Sequence, residues 1–161
     1  MAAAKGNETK SERASDTELV ITRTFDAPAR LVFEAWTRPE LLMKWWAPKS
    51  VGLTFVSCEA DVRVGGTYRF VFSHPSAPQP MAFFGRYLEV VAPTRLVWTN
   101  EEAGESGQVT TVTFEERDGQ TFLTLRERYP SKAVLDAAIA SGNTAGDMRE
   151  TFSQLDAFLA A

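Results

Sequence analysis

The residues that most often do chemistry in proteins are scarce in this chain, which has one histidine and one cysteine among its 161 residues. His74 is followed by proline in a polar loop, and its surroundings lack the nucleophile and carboxylate of a catalytic triad. One histidine and Cys58 cannot supply the usual ligands of a zinc site. We therefore predict no catalytic residue, no metal site and no cofactor, and we interpret Cys58 as an inert thiol in a strand.

Two charged residues fall where the strand pattern expects apolar side chains. Arg23 shares strand parity with the apolar residues of the first predicted strand, and Glu127 with those of the last. A buried charge is costly unless it is well hydrogen-bonded, so both are candidate polar anchors for a ligand. The alternative is that they lie near strand ends and reach water, or form a structural pair. An enzyme would need two or more of the four candidates, Arg23, Glu127, Glu59 and Arg86, to converge in one cavity.

Aromatic side chains are the second group of candidates. One indole of the adjacent Trp45 and Trp46 would line the mouth of a cavity, or both would close a junction between helix and sheet. Phe83 and Phe84 alternate along a strand, so only one of them can point inward. The inward rings either form the wall of an apolar pocket or fill the core completely. The predicted ligand-binding set is Arg23, Trp45, Trp46, Phe70, Phe72, Phe83, Trp98, Glu127, Met148, Phe152 and Leu155.

The elements that position these residues follow from the periodicity of the sequence. A first strand is predicted over Leu19–Phe25, followed by two short helices and then six strands between residues 52 and 129. Asp118-Gly119 is the strongest hairpin signal, and Gly85 inside a strand indicates a bulge or a bend. Helices are predicted over 131–141 and about 144–160. Short turns predict an antiparallel sheet, and a curved sheet that wraps the last helix would bury both apolar faces.

Composition excludes several classes of function. The net charge is −4 and no basic run occurs, which disfavours nucleic acid as a partner. No stretch approaches the length of a membrane span. A single cysteine is typical of a reducing compartment, so we predict a cytoplasmic protein. The polar start of the chain predicts a disordered tail over residues 1–17, followed by one domain over residues 18–161.

Several strings within residues 18–161 resemble one family. RTFDAPARLVFEAWTRPELLMKWWAP resembles the opening of the proteins related to the activator of heat-shock-protein-90 ATPase, a branch of the START-related superfamily that includes the birch-pollen-allergen fold. DVRVGG, GRYLEVVAPTRLVWTN and VTFEERDGQTFLTL resemble its next sections, and AGDMRETFSQLDAFLA resembles its closing helix.

The resemblance implies an α+β helix-grip (START-like) fold. In this fold a seven-stranded curved antiparallel sheet surrounds a long C-terminal helix, two short helices follow the first strand, and a cavity lies between sheet and helix. The first and last strands are neighbours, so the resemblance leads us to expect that Arg23 and Glu127 meet.

Three functions remain open from the sequence. The leading hypothesis is a module that binds a hydrophobic or aromatic small molecule without catalysis. The second is a chaperone-linked interaction role, which the short tail disfavours because the eukaryotic activator carries an additional N-terminal domain. The third is a cyclase-type or hydrolase-type enzyme that acts on an aromatic compound. The sequence also leaves open a homodimer.

Overall fold

An eight-stranded antiparallel sheet is the scaffold of the computed structural model, which describes residues 9–47, 52–101, 108–141 and 149–160. The strands lie side by side in the order β1-β2-β8-β7-β6-β5-β4-β3, so the first strands of the domain pair with the last. The α+β architecture expected from the sequence is confirmed, with one strand more than expected. The strands are β1 (Lys10–Arg13), β2 (Glu18–Phe25), β3 (Thr54–Ala60), β4 (Thr67–Ser73), β5 (Met81–Val91), β6 (Arg95–Asn100), β7 (Gln108–Arg117) and β8 (Gln120–Arg128).

The additional strand, β1, lies within the segment expected to be a disordered tail. Its four residues pair with β2, with Lys10 opposite Thr22 and Arg13 opposite Leu19. All four of its side chains are exposed, which suits a polar strand at the edge of a sheet. The expectation of disorder therefore does not hold for residues 10–13, because β2 presents an edge whose backbone groups they can pair.

The described residues also form four helices, and the sequence marks the start of three of them. Proline precedes α1 (Ala29–Thr37) and opens α2 (Pro39–Trp45), where its missing N–H costs no hydrogen bond. The Ser131 hydroxyl accepts a hydrogen bond from the Val134 N–H at 3.2 Å, which caps α3 (Lys132–Ser141). α4 is Arg149–Ala160. No helix in these four ranges is long and apolar enough to cross a membrane.

The main core lies between one face of the sheet and the helices α1, α2 and α4. Phe152 of α4 sits with its ring centroid 5.5 Å from that of Phe25 on β2 and 6.2 Å from that of Trp36 on α1. Gln154 ties α4 to the end of α2, since its Nε2 donates to the Trp45 and Ala47 carbonyl oxygens, each at 2.9 Å. A smaller cluster of Leu19, Tyr129 and Leu135 lies under α3.

The sheet bends where β5 meets the end of β6. A β-carbon on Gly85 would stand 2.0 Å from the Thr99 carbonyl oxygen, so only glycine allows this approach of the two backbones. The pairing of β5 with β6 shifts register between Tyr87 and Glu89, and that of β3 with β4 between Phe55 and Ser57. Bulges of this kind increase twist, and together with Gly85 they curve the sheet around the core.

Candidate functional site

The inward face of the sheet is the face that packs against α1, α2 and α4. A set of aromatic rings covers this face along β3 to β6, and we call this set the ring wall. Cross-strand pairing places Phe70 of β4 opposite Phe83 of β5, so their side chains share one face of the sheet. The rings are in contact along the face; Tyr68 and Phe70, for example, have centroids 5.3 Å apart. The members of the ring wall are Phe55, Tyr68, Phe70, Phe72, Phe83, Tyr87 and Trp98.

The two adjacent tryptophans take different positions. Trp45 is fully buried, and its indole N–H donates to the Ala35 carbonyl at 3.0 Å, so it closes the junction between α1 and α2. Trp46 is half-buried, and its ring centroid stands 5.7 Å from that of Phe70 on the sheet. Trp46 therefore contacts the ring wall, and the buried Trp45 ring packs against Trp46 with a centroid distance of 5.4 Å.

The ring wall is open to solvent at the β4–β5 end. Phe83 faces inward, with its ring 5.6 Å from that of the buried Phe72, yet 39% of Phe83 is exposed. Met81 is opposite Phe72 on the same face and is 37% exposed. Phe84 is exposed to the same extent, at 38%, but its position opposite Arg69 places it on the outer face. The inward apolar surface therefore continues beyond the area that the described part of the chain covers.

Trp36, which the sequence analysis did not single out, lies at the centre of the aromatic interior. Its ring contacts five others, those of Trp45, Trp46, Trp98, Phe114 and Phe152, with centroids 5.0 to 6.2 Å away. Its indole N–H is buried and has no hydrogen-bond acceptor among the residues that the structure describes. Helical spacing could only assign Trp36 to the buried face of α1, because the lack of an acceptor depends on how several elements meet.

Polar groups gather at one end of the inward face, where β6, β7 and β8 meet. The buried carboxylate of Glu127 accepts from Tyr129 OH at 2.9 Å and from Gln108 Nε2 at 3.3 Å. Beside it, Asn100 Nδ2 donates to Thr110 Oγ1 at 2.8 Å. Burial, the Glu127 charge and their hydrogen bond together raise the pKa of Tyr129 well above its usual range, so its phenol stays protonated and remains a donor.

Arg23 is buried, on the side of β2 that its strand parity indicated, but its partner is not the expected Glu127. Its guanidinium donates to Asp156 Oδ2 on α4 at 3.1 Å and to Thr9 Oγ1 at 3.0 Å, and its Nε has no acceptor within the described ranges. The register of β2 with β8 places Leu123, and not Glu127, opposite Arg23. The expected contact between Arg23 and Glu127 is therefore wrong. The two strands are neighbours, but the charges stand four residues apart along them, about 14 Å.

The other predicted site residues are Trp98, Phe152, Leu155 and Met148. Trp98 belongs to the ring wall and is 9% exposed, while Phe152 and Leu155 are fully buried on α4. Met148 lies outside the described residues. The structure thus brings Trp46, Phe70, Phe72, Phe83 and Trp98 together on one surface. Phe152 is not part of that surface, and its ring packs against that of Trp36.

Comparison with known proteins supports the resemblance noted from the sequence. The family model described as "Activator of Hsp90 ATPase homolog 1-like protein" matches residues 26–160. The chain belongs to this family. No curated protein matches the chain.

Solved structures share the fold of this family member. A crystal structure of a protein from Rhodobacter sphaeroides is 26% identical, with a TM-score of 0.84 and coverage of 95% of this chain and 98% of that one. Protein Ms6760 from Mycobacterium smegmatis is 27% identical, with a TM-score of 0.79 and the same coverage of both chains. An AHSA1-like protein from Aeromonas hydrophila is 20% identical, with a TM-score of 0.65 over 86% of this chain and 93% of that one, and shows the fold alone.

One hollow in this family member lies apart from the ring wall. It has a volume of about 290 Å³ and lies where α4 meets the end of β2, and none of the predicted site residues lines it. Asp156, which binds Arg23, is one of the residues that line it. Its lining is Asp26, Ser153, Asp156, Ala157, Leu159 and Ala160.

The residues considered for catalysis do not converge. Glu59 is exposed opposite Arg69, and the Arg86 Nε donates to Glu101 at 2.9 Å on the surface. Burial, with a smaller effect from the Glu40 charge, raises the pKa of the Cys58 thiol to about 11, which keeps it protonated at neutral pH. Within the described ranges, no three His, Cys, Asp or Glu side chains are grouped so as to hold a metal ion.

Proposed function

We propose that this protein binds an apolar, largely aromatic small molecule against the ring wall, and that it acts by binding and not by catalysis. The observation that carries the proposal is the exposure of Phe83 and Met81 on the inward face, since each faces the core side of the sheet and is more than one-third exposed. A cytoplasmic location, as predicted from the sequence, would suit a carrier or sensor of such a compound.

The surroundings of these two residues support a ligand surface. The Phe83 ring contacts the Phe72 ring, and the Phe72 ring contacts that of Phe55, with centroids 4.3 Å apart. Trp46, half-buried, contacts the next ring of the wall, Phe70. A concave apolar surface with a few polar groups at one end is the usual composition of a small-molecule site. Stacking and edge contacts with these rings would favour an aromatic occupant.

Phe83 and Phe84 provide a matched test, because they are adjacent and equally exposed but face opposite sides of the sheet. The uncharged fluorescent probe N-phenyl-1-naphthylamine should bind the unaltered protein and raise its Tm. Phe83→Asp should weaken this binding by about tenfold or more, because a carboxylate would have to be desolvated beside the bound ring. Phe84→Asp should leave the dissociation constant unchanged within about twofold. Fluorescence titration measures all three constants.

Two results would contradict the proposal. One is saturable binding that is weakened equally by Phe83→Asp and Phe84→Asp while both variants keep the native Tm. The other is the lack of any saturable binding or Tm shift in the unaltered protein.

A further inference from the structure

The polar side chains at the meeting of β6, β7 and β8 adjoin the ring wall. Trp98 of the ring wall is opposite Thr110. Two residues further along the same strands, Asn100 is opposite Gln108, so both amides share the inward face with Trp98. Thr110 is 2% exposed, whereas Asn100 and Gln108 are partly exposed. The two amides are therefore accessible to a molecule that lies on this face.

The exposed end of the ring wall lies close to these amides. Tyr68 of the wall is opposite Gly85, and its hydroxyl donates to Asn100 Oδ1 at 3.3 Å. Phe83 stands two residues before Gly85 on β5, and Gln108 is on β7, two strands away from β5. Two residues along a strand and two strand spacings place the Phe83 and Gln108 Cα atoms about 12 Å apart. A molecule of two aromatic rings can therefore contact both side chains.

Hydrogen bonds determine which end of each amide faces the ring wall. Gln108 Nε2 donates to Glu127 Oε2 on β8 at 3.3 Å. A carboxylate accepts hydrogen bonds, so the N–H side of Gln108 faces β8 and its carbonyl oxygen faces away from β8. Asn100 is turned the same way, since its Nδ2 donates to Thr110 on β7 and its Oδ1 accepts from Tyr68 of the ring wall. The side nearest the ring wall therefore presents acceptor oxygens.

We propose that Gln108 is a specificity-determining residue of the ring-wall site, and that the ligand is an aromatic compound with a neutral O–H or N–H donor, of the phenol or arylamine class. This inference rests on the proposed function. The Gln108 carbonyl oxygen has two lone pairs, so it can accept from a ligand in addition to another donor. An anionic ligand fits poorly, because the Glu127 charge would oppose it. Glu127 is a positioning residue that holds the Gln108 oxygen toward the ligand.

The experiment compares biphenyl-4-ol with 4-methylbiphenyl, in which a methyl group of similar size replaces the hydroxyl. Displacement of N-phenyl-1-naphthylamine gives a dissociation constant for each compound with each protein. The methyl compound is the more apolar of the two, so the quantity compared between proteins is the ratio of the two constants.

Gln108→Met keeps the length of the side chain and removes the amide. It should shift the ratio against biphenyl-4-ol by about three- to tenfold, which is the usual net worth of one hydrogen bond. Gln120→Met is the matched control, because Gln120 is an exposed glutamine at the start of β8. This control should leave the ratio unchanged.

Glu127→Gln tests the positioning role. An amide at this position can donate as well as accept, so it no longer determines the orientation of Gln108. Biphenyl-4-ol should then bind about twofold or more weakly, while the affinity for 4-methylbiphenyl stays the same. A purely structural role of Glu127 would weaken the binding of both compounds.

A spectroscopic measurement on the unaltered protein does not depend on the folding of any variant. A carbonyl group that accepts a hydrogen bond has its carbon resonance moved downfield. Biphenyl-4-ol should move the side-chain carbonyl carbon resonance of Gln108 downfield, and by more than 4-methylbiphenyl does.

The failures of the two proposals can be told apart. A ratio that Gln108→Met leaves unchanged would overturn the role of Gln108, and the ring wall would remain a binding surface for N-phenyl-1-naphthylamine. If Gln108→Met does not fold, equal resonance shifts from the two compounds would overturn that role. Displacement of the probe by neither compound would overturn the ligand class. Failure of the probe itself to bind would overturn both proposals.

Discussion

Arg23 is a buried cation whose only carboxylate partner among the described residues is Asp156, and the two differ in exposure. Arg23 is 8% exposed, whereas the Asp156 side chain is 31% exposed. The guanidinium also stands over the Phe25 ring, 5.4 Å from its centroid. Loss of the carboxylate would leave a charge in a poorly solvated place, while loss of the cation would leave a carboxylate that water can reach.

This asymmetry predicts unequal costs for the two halves of the pair. Asp156→Ala should lower the free energy of unfolding by about 2 kcal/mol, discounted from the usual cost of a broken buried pair because Asp156 is partly exposed. Arg23→Met should cost less than about 1 kcal/mol, since Met can pack where the guanidinium lies. Urea unfolding at pH 7 measures both.

Arg117→Met is the control, because Arg117 pairs with Glu115 at 2.8 Å on the surface and should change stability by less than about 0.5 kcal/mol. A larger loss from Arg23→Met than from Asp156→Ala would contradict this account and would show that the other contacts of Arg23, with Thr9 and the Phe25 ring, govern stability here.

At the scale of elements, the bend between β5 and β6 depends on one missing side chain. Gly85 → Ala would place a methyl group against the Thr99 carbonyl oxygen, and both atoms belong to paired strands that cannot separate freely. The Tyr68 hydroxyl also donates to that oxygen at 2.7 Å, so a shift of Thr99 would break a second contact. Because Tyr68 belongs to the ring wall, a change in the bend would also displace a side chain of the proposed site.

Gly85→Ala should therefore destabilise the protein by about 2 kcal/mol or more, and should weaken probe binding as well. Gly119→Ala is the matched control: its φ is +80° but a β-carbon there would meet nothing within 4 Å. It should cost about 1 kcal/mol and leave binding unchanged. Thermal unfolding and probe titration measure both effects, and equal losses from the two substitutions would refute the role of the bend.

Elements with local signals could be predicted from the sequence. The β7–β8 hairpin was predicted from Asp118-Gly119, and both residues have positive φ, 53° and 80°, as such a turn requires. The strand β1 could not be predicted in this way, because its polar residues carry no strand pattern and its order comes from the β2 edge. Strand parity placed Arg23 and Glu127 on the inward side of the sheet, but it left open whether they are buried. Parity also carries no information on register, and register decides their partners.

At the scale of the whole molecule, the candidate site depends on how much of the sheet the helices cover. The helices α1, α2 and α4 cover part of the inward sheet face, and the β4–β5 end of that face stays exposed at Phe83 and Met81. Sequence analysis supplied the aromatic residues, but it could not decide between a filled core and an open wall. That choice depends on where the helices end relative to a curved sheet, which is a tertiary feature.

Contacts between a bound probe and the protein test the central claim most directly. Isotope-filtered nuclear Overhauser spectra, recorded on the labelled protein saturated with unlabelled N-phenyl-1-naphthylamine, report which side chains lie beside the probe. Binding at the ring wall predicts contacts with Trp46, Phe70 and Phe83 and none with Phe84. Contacts confined to Phe84, or to Ser153 and Ala157 beside the hollow between α4 and the end of β2, would contradict it.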